Sequence, residues 1–441
     1  MSKWQTDTLG GVASIRRGIG YSDATLEQNP QDGVPYLNMK SFLKDGGYNK
    51  NGLKFFSGYF TKVDVITEED LLIANTDITP GGDIIGVPAL LPEMLRHEKV
   101  LFSHHVTRLH LNEQLDPKFL FYLLCTDSYR RGMRKYARGT TVLMLDMAGI
   151  KRMPIMYPQS KLMQGNIVGI LSTVDTAIEQ TEALIEKYQH IKAGLMHDLF
   201  TRGVLPNGQL RPPREQAPDL YQETAIGWIP NDWEVSGLAS KGRTGTSWIR
   251  TGPFGSSLKG EHWCIDGHPV ITIGALGTGE FIPSELLFVG DKDASRLIDF
   301  QLKENDVVFS RVADVGRSVV VREAQAGWIM SSNLMRIAVN ATLLRPDYLQ
   351  MQLASDSRVK SQIRASVNSG GRDVANSEVL NRLRFAMPSP EEQDRIINRA
   401  NRLAQHMSAE VRRVAKLQTQ KLGLMQDLLT GKVPVTVDAN T

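Results

Sequence analysis

Two stretches of this 441-residue chain repeat a heptad pattern of apolar and polar positions. From residue 171 onward, apolar side chains recur at alternating steps of three and four residues over about four heptads. The same register returns 229 positions later, with a polar residue at Thr181 and Glu410 and a lysine at Lys192 and Lys421. The coiled-coil seam is predicted to contain Leu171, Val174, Ile178, Ile185 and Tyr188 in the first stretch and Leu403, Met407, Val414 and Leu417 in the second.

Each stretch predicts one long helix, because neither contains proline and glycine is almost absent up to Gly194 or Gly423. A helix of roughly 35 residues is about 50 Å long, and its apolar stripe needs a partner. The nearest partner is the other copy in the same chain. The pattern therefore predicts an intramolecular, antiparallel coiled coil. The alternative is an amphipathic helix that packs on its own domain.

The repeat extends beyond the helices and indicates a tandem duplication of roughly 200 residues. The segment GLMHDLFT (194–201) returns as GLMQDLLT (423–430), and Trp4 pairs at the same offset with Trp233. Residues 164–204 align with 393–433 without gaps, whereas 10–115 and 239–344 share little. The order along the chain is therefore variable, constant, variable, constant.

The variable segments predict mixed α and β structure. Short apolar runs bounded by glycine, proline and asparagine are typical of strands, and each segment ends in a helical stretch. The predicted strands are 34–38, 70–74, 270–273, 307–310 and 318–321, and the helical stretches are 117–136 and 346–363. The pattern leaves the strand topology open.

The constant segments and the Pro- and Gly-rich stretch between the halves divide the chain into six parts. The stretch from Leu205 contains Pro206, Gly208 and Pro212-Pro213 and predicts an irregular linker. The predicted parts are a first variable domain (1–157), a first constant helix (158–204), the linker (205–232), a second variable domain (233–388), a second constant helix (389–434) and a tail (435–441).

Basic residues cluster near the end of each variable domain. In the first they are Arg130, Arg131, Arg134, Lys135 and Arg138, a spacing that predicts one cationic helix face, followed by the donor-rich loop Gly139-Thr140-Thr141. In the second they are Arg358, Lys360 and Arg364, followed by the segment 368–372. Arginine and lysine bind phosphates, and arginine and asparagine read base edges, so DNA is the predicted ligand. The alternative is a solvated basic face.

The composition restricts the class of protein less than the repeat and the motifs do. The net charge of +3 is only mildly basic, and 41% hydrophobic residues are ordinary for a globular protein. The two cysteines form no disulfide framework, and the sequence shows no signal peptide and no apolar run of about 18 residues. We expect a cytoplasmic protein that does not enter a membrane.

Catalytic motifs are missing. The one Asn-Pro, Asn29-Pro30, does not continue as the loop that holds a flipped base in methyltransferases, and no phosphate-binding GxxxxGK[ST] occurs. His97, His104, His105 and His110 match no standard helical metal pair, so no metal is expected. The sequence predicts a protein without a catalytic site of its own.

Several motifs together carry a resemblance to a known family. They are GLMHDLFTRGV (194–204), GLMQDLLTGKV (423–433), ETAIGWIPNDWEV (223–235), the pairs Gln164/Ile167 and Gln393/Ile396, and the loop 252–257. In combination they resemble the specificity subunits of type I restriction-modification systems over nearly the whole chain. The first domain departs from the pattern, since it has no counterpart of the 252–257 loop.

The resemblance implies an α+β fold: two target-recognition domains separated by two long antiparallel coiled-coil spacer helices, as an internal pseudo-two-fold repeat. It implies partnership with two methyltransferase subunits, which bring S-adenosylmethionine and modify adenine at N6. Two restriction (translocase-nuclease) subunits, with ATP and Mg²⁺, can join them, while this chain itself holds no cofactor. Each recognition domain would read half of an asymmetric bipartite double-stranded DNA target, with half-sites about one helical turn apart.

The residues expected to contact DNA come from the basic clusters and from the 252–257 loop. They are Lys40, Arg130, Arg134, Arg138, Thr140, Ser256, Ser257, Lys259, Arg364 and Arg372. Two other functions remain open at this point: a free-standing DNA-binding regulator, and a coiled-coil adaptor whose variable domains bind protein. A standalone nuclease or methylase is disfavoured by the missing motifs.

Overall fold

The structure, a computed structural model, describes residues 4–79, 81–367 and 374–435. The chain forms two compact units. The first comprises residues 1–182 and 412–441, and the second comprises 183–411. Each unit therefore joins one predicted recognition domain to segments of two long helices. None of the helices in the described ranges is long and apolar enough to cross a membrane.

The described residues of the first unit form thirteen strands and four short helices before the first long helix. The strands are β1 (Trp4–Thr8), β2 (Ala13–Arg17), β3 (Leu26–Glu27), β4 (Val34–Leu37), β5 (Lys54–Phe56), β6 (Asp70–Ala74), β7 (Thr76–Asp77), β8 (Pro88–Leu90), β9 (Leu101–Phe102), β10 (Val106–Leu111), β11 (Ala137–Arg138), β12 (Leu143–Leu145) and β13 (Pro154–Pro158). The helices are α1 (Leu9–Val12), α2 (Pro117–Cys125), α3 (Asp127–Lys135), α4 (Met147–Lys151) and the long α5 (Lys161–Thr201), whose last residues belong to the second unit.

The second unit has a related but not identical element order. Its strands are β14 (Tyr221–Thr224), β15 (Gly227–Pro230), β16 (Glu234–Ser236), β17 (Ile249–Thr251), β18 (Trp263–Cys264), β19 (His268–Ile271), β20 (Leu287–Val289), β21 (Asp306–Ser310), β22 (Ser318–Val320), β23 (Ile329–Met330), β24 (Leu334–Ala338) and β25 (Phe385–Met387). Its helices are α6 (Asp291–Arg296), α7 (Pro346–Ser355), α8 (Ser357–Val367), α9 (Ser377–Arg382) and the long α10 (Pro390–Leu428), whose last residues belong to the first unit.

Two four-stranded sheets have the same strand order in both recognition domains although their sequences share little, and the first domain also has the three-stranded sheet β11-β12-β7. A four-stranded antiparallel sheet has the order β2-β10-β6-β8 in the first domain and β17-β24-β21-β22 in the second. A second four-stranded sheet has the order β3-β5-β4-β9 or β18-β20-β19-β23, and its last pair is parallel in each domain. The five predicted strands are all present, and the prediction of an α+β fold is confirmed.

A buried aspartate begins the central strand of each main sheet. Asp70 opens β6 and Asp306 opens β21, and neither side chain is exposed. An arginine of the neighbouring strand approaches each carboxylate, Arg108 at 3.7 Å and Arg336 at 4.0 Å. Burial raises the pKa of Asp306. This shared pair shows that the duplication includes the variable domains, where the sequence offset alone did not reveal it.

The predicted helical stretches 117–136 and 346–363 are each two helices, not one. The chain turns extended at Thr126 (ψ 148°) and at Asp356 (ψ 117°), and a new helix starts at the next residue. Gly132 does not interrupt α3, but the helix ends at Lys135 and Arg138 lies on β11. The prediction that Arg138 shares one helix face with Arg130 and Arg134 is therefore wrong.

The predicted seam residues lie on α5 and α10 and are all buried or half-buried. Lys192, a polar residue in the same heptad register, is exposed. In the first unit, Lys421 of α10 forms a 2.6 Å ion pair with Asp175 of α5. Leu428, near the end of α10, lies in the same apolar core as Ile167 and Leu171 near the start of α5. The two helix segments of this unit therefore run in opposite directions.

The segment 205–232 is more ordered than an irregular linker. It contains the hairpin β14–β15, and its Arg211 side chain is buried. The Arg211 guanidinium binds Glu392 at the start of α10 and donates to the carbonyl oxygen of Arg202 at the end of the preceding turn, 2.9 Å away. The proline and glycine content predicted the turns, but not the hairpin or this long-range ion pair.

Alanine at Gly203 is expected to destabilise the second unit more than alanine at Gly208. Both glycines have a left-handed backbone, with φ of 66° and 81°, so each substitution costs roughly 1–2 kcal/mol. A Cβ at Gly203 would also overlap the buried Glu392 and Trp233 side chains, whereas a Cβ at Gly208 would meet open space. Denaturant unfolding of the two full-length variants measures the difference. Equal losses would contradict the packing described here.

Candidate nucleic-acid interface

A polar loop follows β7 in the first recognition domain, and its described residues are Ile78, Thr79 and residues 81–85; we call it the clamped loop. The fully buried carboxylate of Asp77 accepts three of its backbone N–H groups: those of Thr79 at 2.7 Å, Ile84 at 2.6 Å and Ile85 at 3.2 Å. Aspartate commonly holds a turn in this way, by replacing backbone acceptors with its own oxygens. These three hydrogen bonds hold the described ends of the loop to Asp77.

Cationic side chains also hold the clamped loop, through its backbone carbonyl oxygens. Arg130 of α3 donates to the carbonyl oxygens of Ile85 and Asp83, each at 2.8 Å, and Arg134 donates to that of Gly82 at 3.3 Å. Burial and the nearby charge of Arg134 lower the pKa of Arg130. Arg130 is therefore engaged with the protein itself, while Arg134, one turn further, is exposed.

Lys44 adds a third cation beside the clamped loop. Its Nζ lies 2.8 Å from the Asp83 carboxylate, and this hydrogen bond lowers the pKa of the Asp83 carboxyl. Lys44 is exposed. An exposed ion pair of this kind stabilises little by itself. Its effect is to place positive charge next to the loop.

The other predicted contacts of the first domain lie on elements next to β7. Lys40 is exposed on the turn Met39–Ser41, where Met39 Sδ accepts a hydrogen bond from the Thr76 hydroxyl at 2.7 Å. Arg138 is exposed and lies 2.7 Å from Asp146. Thr140 is exposed in the turn between β11 and β12, and β12 pairs with β7. The structure thus gathers Lys40, Arg134, Arg138 and Thr140 around β7 and the clamped loop.

The second domain has a different surface at the corresponding place. Gly86 in the first domain packs on Met133 of α3, and Gly316 in the second packs on Ile363 of α8. Met133 and Ile363 therefore occupy equivalent positions on the two helices. Exposed Lys360 and Arg364 then occupy the positions of Arg130 and Arg134. Together with residues 314–317 they line a cavity of about 230 Å³.

The remaining predicted contacts of the second domain lie on its other sheet. Ser256 and Ser257 belong to the turn Gly255–Ser257, and Lys259 precedes the turn Gly260–His262. Leu258 packs this segment into the core around β19, β20 and β23. No contact recorded between described residues links this segment with Arg364. Arg372 lies outside the described residues.

Sequence analysis missed Asp77 and Lys44. The signal for Asp77 is present in the sequence, because Asp-x-Thr followed by Gly81-Gly82 is typical of a turn capped by an aspartate. Nothing in the sequence shows that Lys44 reaches Asp83, since 39 residues separate them. Arg358 of the second basic cluster is held by Asp356 and by the carbonyl oxygen of Phe200.

The histidines considered as metal ligands have other contacts. His110 lies 2.9 Å from Asp70, and His105 lies 3.0 Å from the Thr76 hydroxyl. Burial and the neighbouring His104 lower the pKa of His105. Within the described ranges, no group of three or more histidine, cysteine or carboxylate side chains is placed to hold a metal ion.

Comparisons with known proteins point to one family. The family model described as type I restriction modification DNA specificity domain matches residues 1–188. The type I restriction enzyme MjaVIII specificity subunit of Methanocaldococcus jannaschii is 23% identical over 438 residues, which cover 98% of this chain and 93% of that protein. The EcoBI specificity subunit of Escherichia coli is 22% identical over 436 residues, covering 97% and 84%.

Two solved structures share the fold. The type I restriction-modification S subunit from M. genitalium has a TM-score of 0.56 at 14% identity and covers 99% of this chain and 97% of its own. A chain from a study of the complex assembly and conformational transition of the type I R-M system has a TM-score of 0.57 at 16% identity, covering 98% of each.

The class is thus defined by two recognition domains with two sheets of the same strand order, each domain joined to segments of two long helices. The family model, the relatives and the solved structures all point to this class. The chain is similar to the specificity subunits of type I restriction-modification systems over nearly its whole length, as its motifs predicted, and the family model matches its first 188 residues.

Proposed function

We propose that this chain is the sequence-specific DNA-recognition subunit of a type I restriction-modification complex and that its two domains read the unlike halves of a bipartite target. One observation carries this: the domains share a sheet order but differ at the same surface. The first has a loop held by Arg130, and the second has a cavity lined by Lys360 and Arg364. One frame with different surfaces at the same place suits an asymmetric target.

The proposal extends to the partners. Two similar constant segments on one chain can each bind one copy of the same subunit, so two methyltransferase subunits are proposed to dock on the helical region. S-adenosylmethionine would be bound by these subunits, and ATP and Mg²⁺ by two restriction subunits that join the complex. This chain is then a non-catalytic member that selects the site. The names of the relatives and the duplicated helices support this assignment.

Modified-base sequencing of the host genome, with and without this gene, tests the proposal. An asymmetric bipartite motif carrying N6-methyladenine is expected to disappear on deletion and to return on complementation. An unchanged methylation pattern, in a host shown to express the partner methyltransferase, would contradict the proposal. The free-standing regulator and the protein adaptor would then be compared by DNA binding of the chain alone, since phosphate binding weakens steeply with salt and protein binding does not.

A further inference from the structure

The clamped loop presents side chains to solvent from a backbone that both Asp77 and Arg130 hold. Ile78 is 67% exposed although it directly follows the buried Asp77. Within the loop, the Thr79 hydroxyl also accepts the backbone N–H of Asp83 at 2.9 Å, and the Gly82 N–H donates to the Thr79 carbonyl oxygen at 3.1 Å. Ile78 therefore places an apolar side chain at the surface directly beside this turn.

We propose that Arg130 is a positioning residue: it does not contact DNA but fixes the clamped loop, which reads the half-site assigned to the first domain. The inference rests on the proposed function and names the segment that carries specificity. Arg130 donates two guanidinium hydrogen bonds to the carbonyl oxygens of Asp83 and Ile85, and these bonds hold its side chain against the loop.

The second domain provides the contrast within the same chain. At the position of Arg130 it has Lys360, which lines the 230 Å³ cavity beside residues 314–317. The guanidinium fork suits two carbonyl acceptors at once, whereas an ammonium group is a compact point charge. The first domain therefore uses this helix position to hold its loop, and the second leaves a cationic cavity there.

A loop that is already ordered binds its target without a further entropic cost, and it rejects a wrong base because it cannot rearrange around it. Without Arg130, the carbonyl oxygens of Asp83 and Ile85 lose their donor and the loop samples other conformations. Discrimination at one half-site should then fall, while long-range attraction to DNA stays nearly the same.

The test uses the complex of the full-length chain with its methyltransferase subunits and duplexes carrying the methylated motif. One duplex carries the intact target, and two others each have one half-site changed. Affinity is measured over a range of salt concentrations. Arg130→Ala is expected to reduce discrimination at one half-site by about tenfold or more, to leave the other half-site unaffected and to keep the salt slope. Arg130→Lys should restore part of the loss.

Arg131→Ala is the matched control, because Arg131 is the exposed arginine next to Arg130 on the same helix and is not among the side chains that hold the clamped loop. It should lower the salt slope by about one and weaken all three duplexes alike. The same behaviour in Arg130→Ala would overturn the proposal, as would unchanged discrimination in that variant. If Arg130→Ala fails to fold, Ile78→Ala is used to test the proposal, because this substitution leaves the hydrogen bonds of Asp77 and Arg130 to the loop intact. Loss of discrimination at one half-site supports the loop as the reader, and retained discrimination overturns it.

Failure of the proposed function would look different. The unaltered complex would then bind the target duplex and both altered duplexes equally, before any substitution is made. Discrimination by the unaltered complex therefore has to be measured first.

Discussion

Glu392→Ala is expected to lower the free energy of unfolding of the second unit by about 3–5 kcal/mol, the usual effect of removing one partner from a buried ion pair. Glu392 is 2% exposed and Arg211 is 5% exposed. The carboxylate binds the Arg211 guanidinium through both oxygens and accepts the Trp233 indole N–H at 3.1 Å and the Val204 backbone N–H at 2.8 Å. Alanine would leave the Arg211 guanidinium with the largely exposed Asp232 carboxylate, 2.5 Å away, as its remaining acidic partner, and the two N–H donors without this acceptor.

Denaturant unfolding followed by tryptophan fluorescence measures the effect, because five of the six tryptophans lie in residues 183–411. Glu391→Ala is the matched control, since Glu391 is the exposed neighbour on the same helix turn. A loss under about 1 kcal/mol in Glu392→Ala would show that the pair is not buried as described.

The first repeat has an apolar residue at the position of Glu392. Met163 corresponds to Glu392 and lies in the apolar core of the first unit, 3% exposed. Buried ion pairs are often replaced by apolar residues without loss of stability. The double variant Arg211→Leu with Glu392→Met should therefore recover most of the stability lost in Glu392→Ala.

The long helices were predictable because the heptad spacing of their apolar positions depends only on local sequence, and the strands 70–74 and 307–310 were predictable for a similar reason. Each of these is a short apolar run bounded by turn-forming residues, and each became a buried central strand. Topology was not predictable, because the pairing of β10 with β6 joins residues far apart in the chain.

The candidate site was predictable in composition more than in geometry. The basic cluster 130–138 was visible in the sequence, but the helix end at Lys135 moved Arg138 onto a strand, and the loop carbonyls engaged Arg130. These carbonyls lie 45 and 47 residues before Arg130, beyond the reach of any local pattern. A run of arginines thus predicts cationic surface without showing which side chain is free to bind.

The double variant Lys360→Ala with Arg364→Ala is expected to weaken DNA binding by a similar factor for target and scrambled duplexes. Each neutralised phosphate contributes about 0.9 to the salt slope, so loss of two contacts should lower the slope by about two. The two side chains are exposed, adjacent on one face of α8 and beside a cavity that also includes Arg317.

Lys292→Ala with Lys303→Ala is the control for this second prediction, because it removes the same charge from exposed positions elsewhere in the second unit. Filter binding or fluorescence anisotropy at several salt concentrations gives the slopes. An equal decrease in the control would mean that the effect is general electrostatic attraction and not contact at α8. A decrease confined to the target duplex would instead make Lys360 or Arg364 a base-reading residue, so that α8 would carry specificity in the second domain where the first uses a loop.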